Sequence, residues 1–178
     1  MTNTAQKVFG IAGWKNSGKT TLTAGLIRHF STHGWTVSSV KHAHHEFDVD
    51  QEGTDSFKHR KSGAKEVLLA SAKRFALMHE YADDEDELSL SDLLEKMDAV
   101  DLILVEGFKS SDIPKIELRR AATKLDPLTQ RIPGIVAIAT DNPALASGDD
   151  LPILDMNDIP TIADFIVSHL NLSKAEHS

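Results

Sequence analysis

Short apolar runs alternate with segments of helical periodicity along most of the chain. The run 7–12 ends at Gly13 and has the pattern of a buried parallel strand. From Lys19, apolar residues recur at every fourth position until Gly34, where a left-handed residue would end the helix. The run 35–40 then predicts a second strand. The chain up to residue 40 therefore predicts a β-α-β unit.

The rest of the pattern predicts a hairpin, further strands and further helices. Two β-rich runs, 66–70 and 74–78, flank a short turn and predict an antiparallel hairpin. Apolar runs predict strands at 100–105, 115–118, 134–139 and 152–154. Helical patterns predict helices at 55–62, from a cap at Ser89 or Ser91 through Met97, and at 159–170. No repeat or linker interrupts the pattern, so we expect residues 1–178 to form a single three-layer α/β domain with a mainly parallel sheet and a peripheral β-hairpin.

Composition excludes several classes of protein. The 178 residues are 40% hydrophobic and 26% charged, which is typical of a globular domain. The lack of cysteine excludes a disulfide scaffold, a cysteine-ligated metal and a cysteine nucleophile. The net charge of -8 argues against a broad nucleic-acid or anionic-membrane surface. The longest early apolar run is far shorter than the ~20 residues of a membrane span, so we expect a cytoplasmic protein with no nucleic-acid and no membrane partner.

One motif carries specific chemistry. Residues 13–20 spell G-x-x-x-x-G-K-[ST], the phosphate-binding loop, between a predicted strand and a predicted helix. In such a loop, backbone N–H groups and the helix N-terminus surround a polyphosphate. Lys19 would reach the outer phosphates and Thr20 would offer a hydroxyl to Mg²⁺. The motif predicts a P-loop nucleotide triphosphate site, with the following residues binding: Gly13, Lys15, Asn16, Ser17, Gly18, Lys19, Thr20 and Thr21.

Such a site also needs a carboxylate at the end of another buried strand. Glu106 follows the apolar run 102–105 and resembles a Walker B residue, although a polar residue that merely ends a strand is the alternative. Asp101 lies at the other end of that strand, about 16 Å away if the strand is regular, and is left out of the site. We therefore predict that Glu106 and Thr20 hold Mg²⁺.

The loop 41–50 is dense in potential ligands. Its three histidines, His42, His44 and His45, could contact phosphates, magnesium or a substrate, or could be half-exposed polar residues that satisfy backbone groups. Asp50 is the better magnesium candidate. The basic run 58–61 favours a solvated helix face over an anion site.

Two aspartates compete for recognition of the base. Asp126 ends the sequence T-K-x-D, which matches a guanine-recognition pattern, but residues 122–127 have the character of a loop. Asp141 directly follows the apolar run 135–139, so it has the better position for a carboxylate–guanine contact. The spelling alone leaves both open.

Across nearly its whole length, the chain resembles the molybdopterin-guanine dinucleotide biosynthesis adapter family. The segments that carry the resemblance are 13–21, 41–45, 50–56 and 102–109. It implies a usually homodimeric P-loop protein that binds GTP and Mg²⁺, hydrolyses GTP slowly, and assists the guanylyltransferase that attaches GMP to molybdopterin. It also supports Asp141 as the guanine contact, and we add His42 to the nucleotide-binding residues and assign Glu106 and Lys19 to the slow hydrolysis.

The sequence departs from related classes in two places. A D-x-x-G switch is absent, because Glu106 is followed directly by Gly107, so Ras-like switching is not implied. Lys15 does not follow the first loop glycine directly, which puts an activating lysine across a dimer in doubt. The alternatives are a P-loop small-molecule kinase, whose lid arginines are not evident, and a metal-delivery GTPase, for which 42–45 is the only argument. Whether the molybdopterin cofactor itself binds stays open.

Overall fold

The computed structural model describes residues 6–43, 47–123 and 126–173, and these fall into two compact units. The first comprises the described residues of Met1–His42 and Met97–Ser178, and the second those of Ala43–Lys96. The strands in the described ranges are β1 Val8–Gly13, β2 Val37–Lys41, β3 Glu66–Ala70, β4 Phe75–His79, β5 Leu102–Glu106, β6 Lys115–Arg119, β7 Ile135–Thr140 and β8 Ile153–Asp155. The helices are α1 Lys19–Thr32, α2 Asp55–Lys61, α3 Leu90–Glu95 and α4 Ile159–Leu170, with 3₁₀ turns at Ala121–Thr123 and Pro143–Ala146.

The first unit is built on a six-stranded sheet in the order β2-β5-β1-β6-β7-β8. Every neighbouring pair is parallel. Strand β1 is central, and its Ile11 pairs with Glu106 of β5, which in turn pairs with Lys41 of β2. Because parallel strands end at the same edge, the residues that follow these strands gather at one rim of the sheet.

Helices α1 and α4 pack with the sheet around one apolar core. The core takes alternate residues of β5, Leu102 and Leu104, together with the apolar face of α1. The intervening Ile103 and Val105 lie on the opposite face and are also fully buried. Strand β5 is therefore buried on both faces, which explains why it reads as a continuous apolar run.

A buried lysine stands out among these apolar residues. Lys115, at the start of β6, is fully buried, and its ammonium group donates to the carbonyl oxygens of Ser111, Ile113 and Pro133. Burial lowers its pKa. These bonds tie the loop that follows β5 to the segment that precedes β7.

The second unit contains α2, the antiparallel β3–β4 hairpin and α3. Thr54 caps α2 by accepting from the backbone N–H of Phe57, and Ser89 caps α3 in a capping box with Asp92. In the hairpin, Leu68 pairs with Leu77. Within the described residues, no helix is long and apolar enough to cross a membrane.

The α/β class, the mainly parallel sheet and the peripheral hairpin are confirmed. The predicted strands and helices are found with ends that differ by one or two residues. Strand β5 extends to Glu106, so this residue ends the strand and does not follow it. Strand β4 starts at Phe75, and α3 ends at Glu95, before the predicted Met97. Asp101 lies at the opposite end of β5, where its carboxylate accepts from the N–H and hydroxyl of Thr36.

Candidate functional site

The loop between β1 and α1 has the backbone of a phosphate cradle. Asn16 and Gly18 adopt left-handed conformations, with φ of 64° and 97°. A Cβ at Gly13 would collide with the Ser17 hydroxyl and approach the Leu118 carbonyl oxygen to 3.2 Å, so only glycine fits there. Gly18 is the N-cap of α1 and supplies no side-chain hydrogen bond. The first N–H groups of the helix therefore have no cap from that residue.

A buried hydroxyl in the loop lacks a partner. The Ser17 side chain is 1% exposed, and its Oγ forms no hydrogen bond with any described residue. Buried polar atoms are nearly always hydrogen-bonded in folded proteins. This hydroxyl faces Gly13, where an added Cβ would collide with it.

Lys19 is held inside the loop. Its Nζ donates to the carbonyl oxygen of Trp14 at 2.8 Å. Burial is the main cause that lowers the pKa of Lys19; attraction by Glu106 opposes it, and repulsion by Lys109 and Lys41 adds to it. An anion placed among these ammonium groups would relieve both the repulsion and the burial cost of the charge.

The structure brings Thr20 and Glu106 together. The Thr20 hydroxyl donates to Glu106, with distances of 3.2 Å to Oε1 and 3.4 Å to Oε2. The Glu106 side chain is 11% exposed, and Lys41 Nζ lies 3.7 Å from Oε1. Magnesium in nucleotide sites is typically held by one or two carboxylates together with phosphates and water. The two oxygen ligands predicted from the sequence therefore lie side by side, while their binding of metal stays a prediction.

The chain turns sharply directly after Glu106. Gly107 and Phe108 both have positive φ, 100° and 46°. A Cβ at Gly107 would lie 2.7 Å from the Cβ of His42, so this close approach requires glycine. The His42 N–H donates to the Glu106 carbonyl at 2.8 Å, and its ring lies 4.8 Å from that of Phe108. His42 therefore lies at this rim of the sheet, whereas His44 and His45 lie outside the described residues.

Asp50 is engaged in the second unit. Its Oδ1 accepts from Arg60 at 2.7 Å, and Asp48 accepts from the same guanidinium at 2.6 Å. The hydrogen bond from Arg60 lowers the pKa of Asp50. In the described ranges no group of three or more histidine or acidic side chains is arranged to hold a metal. Arg60, which belongs to the basic run 58–61, therefore has acidic partners within the chain. The role of Asp50 as a magnesium ligand stays a prediction.

The two candidate base contacts lie in different settings. Asp141 directly follows β7, which is separated from β1 by a single strand. Its Oδ1 accepts from the Ala121 N–H at 2.9 Å, and Oδ2 lies 3.5 Å from Arg120 Nε. Asp126 is 75% exposed at its side chain, where its carboxylate pairs with Arg131. Asp141 is thus held at the rim by Ala121 and Arg120, whereas the Asp126 carboxylate is exposed and paired with Arg131, and which of the two contacts a base stays a prediction.

Sequence reasoning missed a cluster of cations around Trp14. The Lys109 ammonium lies 4.7 Å from the centre of the Trp14 ring, and the Arg131 guanidinium lies 5.9 Å from it. The indole N–H donates to the Asp126 carbonyl at 2.8 Å. Position 14 is unspecified in the phosphate-loop motif, so the spelling gave no reason to single it out.

A buried ionic network supports this side of the site. Arg119 donates to Glu117 at 2.9 Å and also binds the carboxylate of Asp149. Glu117 accepts from the N–H of Leu128 at 2.7 Å. Because Leu128 lies between Asp126 and Arg131, this network fixes the segment that contacts the Trp14 ring.

Comparison with known proteins gives consistent matches. The family model for molybdopterin guanine dinucleotide synthesis protein B matches residues 8–141. A molybdopterin-guanine dinucleotide biosynthesis adapter protein of Escherichia coli K12 is 42% identical over 163 residues, which is 90% of this chain and 91% of that protein. Its counterpart in Haemophilus influenzae is 41% identical over 167 residues, or 92% and 89% of the two chains.

Solved structures match the fold. The MobB structure from Bacillus subtilis has a TM-score of 0.72 at 23% identity and covers 95% of this chain and 99% of that one. A MobB homologue from Bacillus stearothermophilus has a TM-score of 0.69 at 23% identity, with 92% and 97% coverage. At this identity the likeness speaks for the fold alone.

Proposed function

The chain belongs to the molybdopterin guanine dinucleotide synthesis protein B family, and from this premise we propose that it is a GTP-binding adapter. In this proposal it binds GTP with Mg²⁺ in the phosphate loop and assists the guanylyltransferase that converts molybdopterin to its guanine dinucleotide. Two relatives carry the name of adapter in this biosynthesis. In this proposal the protein acts by binding the nucleotide and the transferase, and it catalyses little by itself.

The bond between Thr20 and Glu106 carries the proposal. It joins the hydroxyl that follows the loop lysine to a carboxylate at the end of a neighbouring strand, 86 residues away. Without such a partner, the loop would offer N–H groups and Lys19 to an anion but no carboxylate to a metal. The glycine N-cap supports the same conclusion, since it leaves the first N–H groups of α1 without a side-chain cap from that residue.

Each group of GTP-Mg would meet residues suited to it. The loop N–H groups and Lys19 would hold the phosphates, and Thr20 and Glu106 would hold the metal. When bound, Mg²⁺ would neutralise phosphate charge and polarise phosphoryl oxygens. Asp141 would accept from guanine at the rim of the sheet.

The surroundings of Glu106 support slow hydrolysis. Its carboxylate accepts a hydrogen bond from Thr20 and lies 3.7 Å from the Lys41 ammonium, so both neighbours engage the oxygens that would otherwise accept a proton from water. A carboxylate so engaged is a poor base for an attacking water. We therefore propose turnover well below the ~10 s⁻¹ typical of enzymes.

The proposal extends to assembly and location. We propose a homodimer, supported by the apolar outer face of the hairpin, where Leu68 and Phe75 are 62% and 74% exposed. We also propose that the protein works in the cytoplasm, where GTP is available. Its proposed partner is the guanylyltransferase, and binding of molybdopterin itself is left to experiment.

The binding half of the proposal is tested at Lys19. Lys19→Ala removes a charge-assisted contact to phosphate and should weaken GTP-Mg binding by about 2 kcal/mol or more in calorimetric titration. Arg28→Ala, on the exposed side of the same helix, is the control and should bind as the parent does. Unchanged affinity in folded Lys19→Ala protein would overturn the nucleotide-binding proposal.

The adapter half is tested with the transferase. Adding this protein to transferase at limiting GTP should raise the yield of guanine dinucleotide, while the protein alone hydrolyses GTP slowly. Parallel titrations with ATP and with molybdopterin would define what the site accepts. Rapid phosphorylation of a small acceptor, or no effect on the transferase together with no binding to it, would contradict the adapter function.

A further inference from the structure

We infer that Lys109 binds the terminal phosphate of the bound nucleotide, and that this contact lets the site distinguish a triphosphate from a diphosphate. This inference rests on the proposed function, because it assumes a guanine nucleotide in the phosphate loop. It assigns a specificity-determining role to a residue outside the phosphate-loop motif.

The chain delivers Lys109 to the loop by a fixed route. Glu106 is anchored to Thr20, and Gly107 and Phe108 then turn the backbone through two left-handed residues. Lys109 comes directly after this turn, and its ammonium lies 4.7 Å from the centre of the Trp14 ring. Lys109 therefore contacts Trp14, the residue after Gly13, and it comes from the segment that follows β5, whose last residue is Glu106.

Trp14 brings two ammonium groups to one place. Its carbonyl oxygen accepts a hydrogen bond from Lys19 at 2.8 Å, while its ring contacts the Lys109 ammonium. Lys19 in this motif serves the outer phosphates, and Lys109 contacts the same residue, which is why we assign Lys109 to that end of the nucleotide. The repulsion between the two lysines, which contributes to the lowered pKa of Lys19, agrees with this closeness.

The third lysine at the rim is engaged elsewhere. Lys41 lies 3.7 Å from Glu106 and offsets that carboxylate. Lys109 forms no ion pair with any carboxylate of the described residues, and its recorded partner is the indole ring. A lysine resting on an aromatic ring gains less than one bonded to a phosphate oxygen, so a terminal phosphate would draw the ammonium off the ring.

The test compares two nucleotides in matched variants. We expect Lys109→Met to weaken binding of the non-hydrolysable β,γ-imido analogue of GTP about tenfold, and binding of GDP less than twofold. Lys61→Met is the control, because the Lys61 ammonium also lies over a ring, that of Phe57 at 5.6 Å. The control removes the same charge and the same kind of contact in the second unit, and should change neither affinity by more than about twofold.

A spectroscopic readout follows the lysine directly. Trp35→Phe leaves Trp14 as the sole tryptophan, since the chain has two. The imido analogue should change Trp14 emission more than GDP does, and this difference should vanish in Lys109→Met and persist in Lys109→Arg.

The outcomes separate this inference from the proposed function. Equal losses for both nucleotides, no loss for either, or an emission difference that survives in Lys109→Met would overturn the role of Lys109 while GTP binding stands. Failure of the parent protein to bind either nucleotide would overturn the proposed function and this inference with it.

Discussion

At the scale of single residues, the site is organised around Glu106. Its carboxylate accepts from Thr20 on one side and lies near the Lys41 ammonium on the other, and its carbonyl accepts from the His42 N–H. The same residue thus links β5 to α1 through its side chain and to the end of β2 through its backbone. Only the side chain can contribute to chemistry, because the backbone bonds would be the same for any residue.

Glu106→Gln separates these roles. Glutamine keeps the size and one acceptor oxygen but loses the charge that a metal needs, so Mg²⁺-dependent GTP hydrolysis should fall much more than GTP affinity. Single-turnover hydrolysis and calorimetric affinity would be measured on the same preparation. Equal losses in both quantities, or none in either, would indicate a structural glutamate.

At the scale of elements, the hairpin is held at its open end by charge. His79 of β4 is 2.8 Å from Glu66 of β3 and 3.3 Å from Glu85. The hydrogen bond with Glu66 is the main cause that raises the pKa of His79. A histidine whose folded pKa is raised stabilises the fold below its unfolded pKa, about 6.5, and loses this contribution as the pH rises through the folded value.

A titration of His79 by NMR tests this arrangement. We expect its pKa to lie above 6.5, and Glu66→Gln to lower it, because the charged partner is removed. Glu52→Gln is the comparison, since Glu52 is exposed and is not among the groups that raise the pKa of His79. An unshifted His79, or one insensitive to Glu66→Gln, would contradict the ion pair.

At the scale of the whole molecule, the hairpin exposes an apolar face. Residues that pair across the strands share a face, so Leu68 and Leu77 lie on the same side as Phe75 two residues away. Their exposed fractions are 62%, 52% and 74%. Clustered exposure of large apolar side chains is typical of interfaces, and the proposed occupant is a second copy of this chain.

The assembly is tested by light scattering. The parent protein should have the mass of a dimer, and Phe75→Asp combined with Leu77→Asp should shift it to a monomer, because buried carboxylates oppose association. Leu145→Asp, at another exposed apolar position, should leave the mass unchanged. A monomeric parent would refute the homodimer, and a dimeric double variant would place the interface elsewhere.

The sequence by itself determined everything in this protein that depends on neighbouring residues. The phosphate loop is contiguous, so its glycines and Lys19 could be identified from spacing, and periodicity located the strands and helices to within one or two residues. The buried run that ends at Glu106 likewise marked this residue as a strand-end carboxylate. The resemblance to the family drew on the same local segments.

The tertiary structure alone decided which distant residues meet. The order of the sheet strands brings Glu106 to Thr20 across 86 positions and the Asp126 carbonyl to Trp14 across 112. In the second unit the structure also pairs Asp50 with Arg60, a contact that the sequence did not indicate, while magnesium binding by Asp50 stays a prediction. Local patterns leave such pairings undetermined because strand order and loop paths are fixed by burial over the whole chain. The Lys109 contact with Trp14 is visible only once that burial has set the path of the turn after β5.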